Sequence, residues 1–170
     1  MYHEYPSIKL YGSCFGHQVI CKALFEGRGV VVEKDPSGWE LGVHTVDVSD
    51  DFVRHFPEAL GSESQSLTLQ FLHGDHVRLD NASLPASICV VGSTPHCHNQ
   101  GIYEPGRLLT LQGHPEFDQF ITTEALKLVS QRVGWEPEFT KAAINSAMAS
   151  DDAGLAADIM VRFFLGLDME

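Results

Sequence analysis

Gly12-Ser13-Cys14-Phe15-Gly16-His17-Gln18 sets a cysteine between two glycines, directly after the apolar run Ile8-Lys9-Leu10-Tyr11. The run reads as a strand, and the glycines suit a sharp strand-to-helix turn that holds a nucleophile on strained backbone at a helix N-terminus. A thiol placed there is favoured as thiolate by the helix dipole and by nearby N–H groups. A small cysteine buried beside glycines would show the same local pattern, so a second motif decides between the two readings.

That motif is Leu109-Thr110-Leu111-Gln112-Gly113-His114-Pro115-Glu116-Phe117, another apolar run, which ends in a histidine followed two residues later by a carboxylate. A reactive thiol needs a base to take its proton and an acid to orient the imidazole and stabilise its charge. His114 and Glu116 supply both. The order Cys14, then His114 and Glu116 far downstream, makes the catalytic reading stronger than that of a surface turn after an edge strand.

Together these stretches resemble the class I, or triad, glutamine amidotransferases, whose two most specific signatures are Gly-x-Cys-x-Gly-His-Gln and Gln-x-His-Pro-Glu. Gly38-Trp39-Glu40-Leu41-Gly42 and His73-Gly74-Asp75-His76-Val77 are similar to landmarks of the branch related to the glutaminase part of GMP synthase. Gly113, where the synthetase-linked enzymes usually carry Phe, is closer to gamma-glutamyl peptidase-like members. The resemblance runs from about Ile8 to Phe117. It implies a flavodoxin-like fold and cleavage of a gamma-glutamyl amide, in glutamine or a gamma-glutamyl metabolite, through a thioester. Cys14 matches the nucleophile, His114 the base and then the acid, and Glu116 the orienting carboxylate. The Phe15 N–H matches an oxyanion-hole donor, Gln18 a contact to the amino-acid end of the substrate, and His73 a residue of the substrate-side loop. Trp39 and Glu40 are expected to be structural, because a Trp beside a turn usually packs.

The resemblance departs at the front. Family members carry several strands and helices before the nucleophile, including a glycine-bearing loop with the other oxyanion donor, whereas here the cysteine already stands at position 14. The sheet is therefore expected to be N-terminally truncated, with an open edge or apolar surface beside the elbow strand. Two completions follow: a synthase or complementing polypeptide as partner, or a non-catalytic amidotransferase-like protein acting as a binding or interaction module.

Composition sets the outer bounds. A chain of 170 residues, 44% hydrophobic, can bury one core, and the expectation is a single domain over 1–170 with a motif-bearing core (8–117) and C-terminal helices (118–170). A formal net charge of −12 argues against nucleic acid or an anionic membrane as partner. Cys14, Cys21, Cys89 and Cys97 form no Cys-x-x-Cys pair and suit a reducing, cytoplasmic setting. Met1 to Pro6 lacks the basic and apolar regions of an export signal, so the sequon Asn81-Ala82-Ser83 is read as a turn. No Gly-x-x-x-x-Gly-Lys-Ser/Thr loop occurs, so this chain has no means of activating an acceptor with ATP. His73-Gly74-Asp75-His76 and His96-Cys97-His98 contain imidazole and thiol donors, but neither shows a ligand pair at recognised spacing. No metal and no cofactor is expected.

Periodicity predicts strands at Val30–Val32, Leu41–Val48, Ser66–Leu72 and Leu108–Leu111, and a doubly buried strand at Ser87–Val91. It predicts a helix over His17–Phe25 with Val19, Ile20, Ala23 and Leu24 on its inner face, stopped by Gly27. Further helices are expected at Ile121–Val133, at Glu138–Ala149 and after Asp151-Asp152, as the cover of an open α/β sheet, mixed or mostly parallel. Ligands of such sheets bind at the carboxyl ends of the strands.

Overall fold

The computed structural model describes residues 2–61, 65–79 and 82–168; Asn81 of the sequon lies outside them. The chain opens with β1 (Leu10–Ser13) and α1 (Phe15–Phe25), separated by Cys14 alone. There follow β2 (Val31–Lys34), β3 (Glu40–Val48), the short helices α2 (Asp50–Val53) and α3 (Pro57–Leu60), β4 (Ser66–His73) and β5 (Asp75–Arg78). The two-residue strands β6 (Cys89–Val90) and β7 (Gly92–Ser93) precede β8 (Ile102–Glu104) and β9 (Leu108–Leu111). Three helices close the chain: α4 (Gln119–Val133), α5 (Pro137–Ala147) and α6 (Ala153–Leu165). No helix among the described residues is long and apolar enough to cross a membrane.

The architecture is α/β, and of the two sheet types expected it is the mixed one. The strand order β1-β9-β8-β6 contains the parallel pair β1–β9, while β8 runs antiparallel to both β9 and β6. β4-β3-β7 and β2-β5 are antiparallel. The Gln70–His114 bridge joins β4 to the segment after β9. β1 stands at the end of its strand order, with β9 as its neighbour.

β9 is buried at all four residues because both of its faces are covered. Leu109 and Leu111 enter the cluster built by β4, α2, α3 and α6, including Phe52, Phe56, Phe71 and Phe163. Leu108 points the other way, to Cys21 and Phe25 of α1 with Val30, Val77 and Ile102. A third cluster, Leu41, Leu126, Ala143 and Ala147 with Trp39 and Trp135, seats α4 and α5 on β3.

Two expectations are corrected in detail. The buried residues of α1 are His17, Gln18, Cys21 and Phe25, whereas Val19 is 46% exposed. The helix is turned because polar groups on β9 and β5 receive His17 and Gln18. α1 ends at Phe25 as expected, and a 3-10 turn over Glu26–Arg28 follows it, closed by Gly29 at φ 90°. The strand expected at Ser87–Val91 shrinks to Cys89–Val90 and is half-buried, since it forms a sheet edge.

The C-terminal helices keep the expected boundaries within a few residues. Asp118 accepts the Ile121 N–H at 2.7 Å to start α4, and Gly134 at φ 75° ends it. Asp151 and Asp152 pin the start of α6 to β4: Asp152 accepts the Thr68 N–H at 2.8 Å, and Asp151 accepts Gln70 Nε2 at 3.0 Å.

Gly42 marks where α5 meets β3. Its φ is 83°, and a Cβ there would fall 2.5 Å from Ser146 Oγ and 3.1 Å from the Ala143 carbonyl oxygen. Gly42→Ala is expected to destabilise the fold by about 2 kcal/mol or more, combining left-handed strain with overpacking, as read by urea unfolding.

Candidate active site

Cys14 occupies a backbone conformation that its neighbours impose. Its N–H donates to the Leu111 carbonyl at 2.8 Å, extending the β1–β9 ladder by one residue, and α1 begins at the next position. Cys14 alone must turn the chain, and it does so at φ 46°, ψ −106°. It is the one non-glycine residue with positive φ among those described, a conformation that costs on the order of 1–3 kcal/mol. Gly12 permits the turn, because a Cβ there would lie 2.7 Å from the Gly16 backbone and 2.8 Å from Ile20 Cδ1. Gly16 faces open space, so it is not required for clearance.

The parallel register pairs Ser13 with Leu111, so the chain segments beyond both strands emerge side by side. His114 donates its N–H to the Gln70 carbonyl at 2.8 Å, and its ring stacks on Phe117 at 3.9 Å. Nδ1 of that ring lies 2.8 Å from Glu116 Oε1, which also accepts from Ser13 Oγ at 2.9 Å. Cys14 Sγ lies 3.8 Å from the Leu72 carbonyl oxygen. Burial would lower the His114 pKa, but the Cys14 sulfur and the Glu116 carboxylate outweigh it and raise the value to about 9. Burial works in the opposite sense on Glu116. There the bonds from His114, its own backbone and Ser13 prevail and hold the carboxyl below its ordinary range. The structure thus gathers Cys14, His114 and Glu116 at the ends of β1 and β9.

The other three residues singled out by the sequence take different positions. Phe15 is 73% exposed, and its N–H lies in the first turn of α1, where helices leave amide donors unpaired. Gln18 is buried and donates to the Asp75 carbonyl at 2.9 Å and to Gln112 Oε1 at 3.2 Å. His73 reaches the same Asp75 carbonyl through Nδ1 at 3.0 Å. Gln18 and His73 therefore converge on one backbone oxygen at the start of β5.

His73 also binds Glu40, Nε2 to Oε2, at 2.8 Å, with both side chains fully buried. Both ring nitrogens face oxygen atoms. Glu40 further accepts from Thr94 Oγ1 at 2.6 Å and Gln100 Nε2 at 2.7 Å. Burial acts to raise the Glu40 pKa, but these donors and the His73 charge bring it below the ordinary carboxylate range. His17 lies deeper. Burial, aided by the His73 charge, pushes its pKa down to about 3, so it stays neutral, with Nδ1 2.8 Å from Thr110 Oγ1. Trp39 packs edge-on against Trp135 at 5.0 Å, in keeping with a structural role.

Sequence reasoning missed Ser13, whose place beside Cys14 was its only signal, and the Thr94–Gln100–Glu40 network, whose members are dispersed along the chain. It also missed that the donor atoms of Asp35, His76 and Cys97 lie within 4.8 Å of one another.

Residues 5–129 match the model of the class-I glutamine amidotransferases. The chain belongs to that family. It is 31% identical over 163 residues to a glutamine amidotransferase-like protein of Schizosaccharomyces pombe, covering 95% of this chain and 60% of that one. It is 29% identical over 138 residues to gamma-glutamyl peptidase 2 of Arabidopsis thaliana, covering 81% and 52%. It thus spans about three-fifths and about half of the length of these relatives. A glutamine amidotransferase of Thermotoga maritima superposes with a TM-score of 0.66 at 22% identity, covering 95% of this chain and 66% of that one. One from Methylobacillus flagellatus gives 0.66 at 18% identity, covering 97% and 66%. The fold is that of the class I amidotransferases.

Glu40→Gln would remove the buried carboxylate charge on which His73, Thr94 and Gln100 converge, and is expected to cost about 3–5 kcal/mol in urea unfolding. Because the folded pKa of Glu40 is depressed, its contribution is present above the ordinary carboxylate range and is lost as pH falls through the lower folded value. The stability gap between wild type and variant should therefore narrow in acid.

Proposed function

We propose that this chain cleaves a gamma-glutamyl C–N bond, in glutamine or a gamma-glutamyl metabolite, with Cys14 as nucleophile, His114 as base and acid, and Glu116 as the orienting carboxylate. The observation that carries this reading is the strained Cys14 elbow beside a His114 ring held by Glu116 at 2.8 Å. In the reaction the Cys14 thiolate attacks the amide carbonyl, and the oxyanion that develops meets the Phe15 N–H at the helix N-terminus. His114 protonates the leaving nitrogen, which departs as ammonia or an amine and leaves a thioester. It then deprotonates water for hydrolysis of that thioester. Gln18 and His73 serve by fixing the Asp75 carbonyl, and through it the backbone that borders the substrate.

The other thiols are poorly suited to this role. Burial pushes Cys21 up to about 12, and Cys89 and Cys97 each to about 11. At pH 7, iodoacetamide is expected to label Cys14 ahead of these three, and a glutamine-mimicking affinity label to protect it. Labelling of Cys14 no faster than the others would contradict the assignment. Release of ammonia from glutamine, or of amino acid from gamma-glutamyl dipeptides, should disappear in Cys14→Ala. Equal rates in the two proteins would indicate a binding module instead.

The pH profile tests the role of Glu116. A His114 pKa of about 9 keeps the acid form present through neutral pH, so kcat/KM should fall on an alkaline limb near that value. Glu116→Gln removes a carboxylate that raises this pKa, and is expected to move the limb to lower pH.

A further inference from the structure

We propose that Asp35, His76 and Cys97, with His96 as fourth ligand, form a binding site for a zinc-class divalent cation, separate from the Cys14 centre. The ligands come from the turn after β2, from β5 and from the loop between β7 and β8, which is why no ligand spacing marks the site in the sequence. Donor atoms of Asp35, His76 and Cys97 lie within 4.8 Å of one another. Bond lengths of about 2.0–2.3 Å around a tetrahedral zinc ion set ligand atoms roughly 3.3–3.8 Å apart, so small side-chain rotations close the gap. His96 Nε2 is 3.5 Å from Asp35 Oδ2; it stands outside the three-donor group and would join it by side-chain rotation.

Asp35 is the independent pointer to a cation. Its side chain is 1% exposed; Oδ1 accepts the Ser37 N–H at 2.8 Å, which fixes the carboxylate, while Oδ2 is buried without a hydrogen-bond partner. His76 Nδ1 stands 3.2 Å from that oxygen but does not hydrogen-bond to it. Nε2 of His96 is likewise buried without a hydrogen bond and faces the same oxygen, whereas Nε2 of His76 faces Glu33 Oε1 at 3.8 Å. Two imidazole nitrogens thus converge on one buried carboxylate oxygen at ion-pair distance without a hydrogen bond to it, an arrangement that suits an electrophile between them. A cavity of about 360 Å³, lined by Asp35, His76, His96 and His98, provides the entry path.

One carboxylate, two imidazoles and one thiolate select a borderline-soft ion over magnesium or calcium, which prefer all-oxygen shells. On binding, the Cys97 S–H, which now points to the Asn99 carbonyl at 3.4 Å, releases its proton to solvent as the sulfur lone pair binds the metal.

The test is zinc titration of the full chain carrying Cys14→Ala, so that the catalytic thiol contributes nothing. Uptake is read by competition with a chromogenic chelator and by thermal unfolding. The expected result is one tight equivalent of zinc and an upward shift in Tm. Cobalt(II) in the same site should show a thiolate charge-transfer band. Adding Cys97→Ser should abolish the band, and adding the partly exposed His76→Asn should abolish tight uptake while the circular dichroism stays native. Absence of tight uptake in Cys14→Ala, or uptake unchanged by either further substitution, would overturn the proposal.

Discussion

The parallel pairing of β1 with β9 is the interaction on which the candidate site depends. These two strands are distant in sequence, and their register brings Ser13 level with Leu111, so the chain leaves both strands at the same edge. The bond from the Cys14 N–H to the Leu111 carbonyl carries the ladder one residue past β1. That bond fixes the residue that must turn, while the start of α1 at Phe15 fixes where the turn must end. Cys14 absorbs the conflict with a positive φ, and the burial of β9 on both faces keeps it from relaxing. The Gln70–His114 bridge fixes His114 in the same way, from β4.

Behind this edge, the fold holds a charged network where an apolar core would be simpler. The His73–Glu40 pair is fully buried, and Thr94 and Gln100 complete the carboxylate's hydrogen bonds. Such a pair contributes little net stability against a hydrophobic replacement, though removing one partner is costly. Its structural consequence is geometric. It orients His73 so that Nδ1 supports the Asp75 carbonyl, and the resulting positive charge helps keep His17 neutral against Thr110 on the inner side of α1.

The features legible in the sequence are those written in local pattern. β9 matched its apolar run residue for residue, β3 and β4 matched to within one, and α4 stops at Gly134, the residue named from the sequence. Cys14, His114 and Glu116 were legible because each lies in a contiguous motif. The facing of α1 was not. Its apolar residues suggested one inner face, but the polar side chains His17 and Gln18 are drawn inward by Thr110, Asp75 and Gln112, partners that lie far along the chain. β5, β7 and β8 escaped detection because they are short and take their places by pairing with longer neighbours rather than by their own periodicity. The Asp35–His76–Cys97 cluster was hidden for the same reason, since the pairing of β2 with β5 creates it.

β5 lies between the candidate active site and the proposed cation site. Successive residues of a strand point to opposite faces, and here Asp75 presents its carbonyl to Gln18 and His73 while the next side chain, His76, faces Asp35. One peptide unit therefore links the border of the candidate active site to the proposed cation site. A second route runs from Cys97, whose N–H donates to Thr94 Oγ1 at 3.0 Å, through the Thr94 hydroxyl to Glu40 and so to His73. Both routes end on the Asp75 carbonyl. The position of Asp75 is thus set by groups that border both the candidate active site and the proposed cation site.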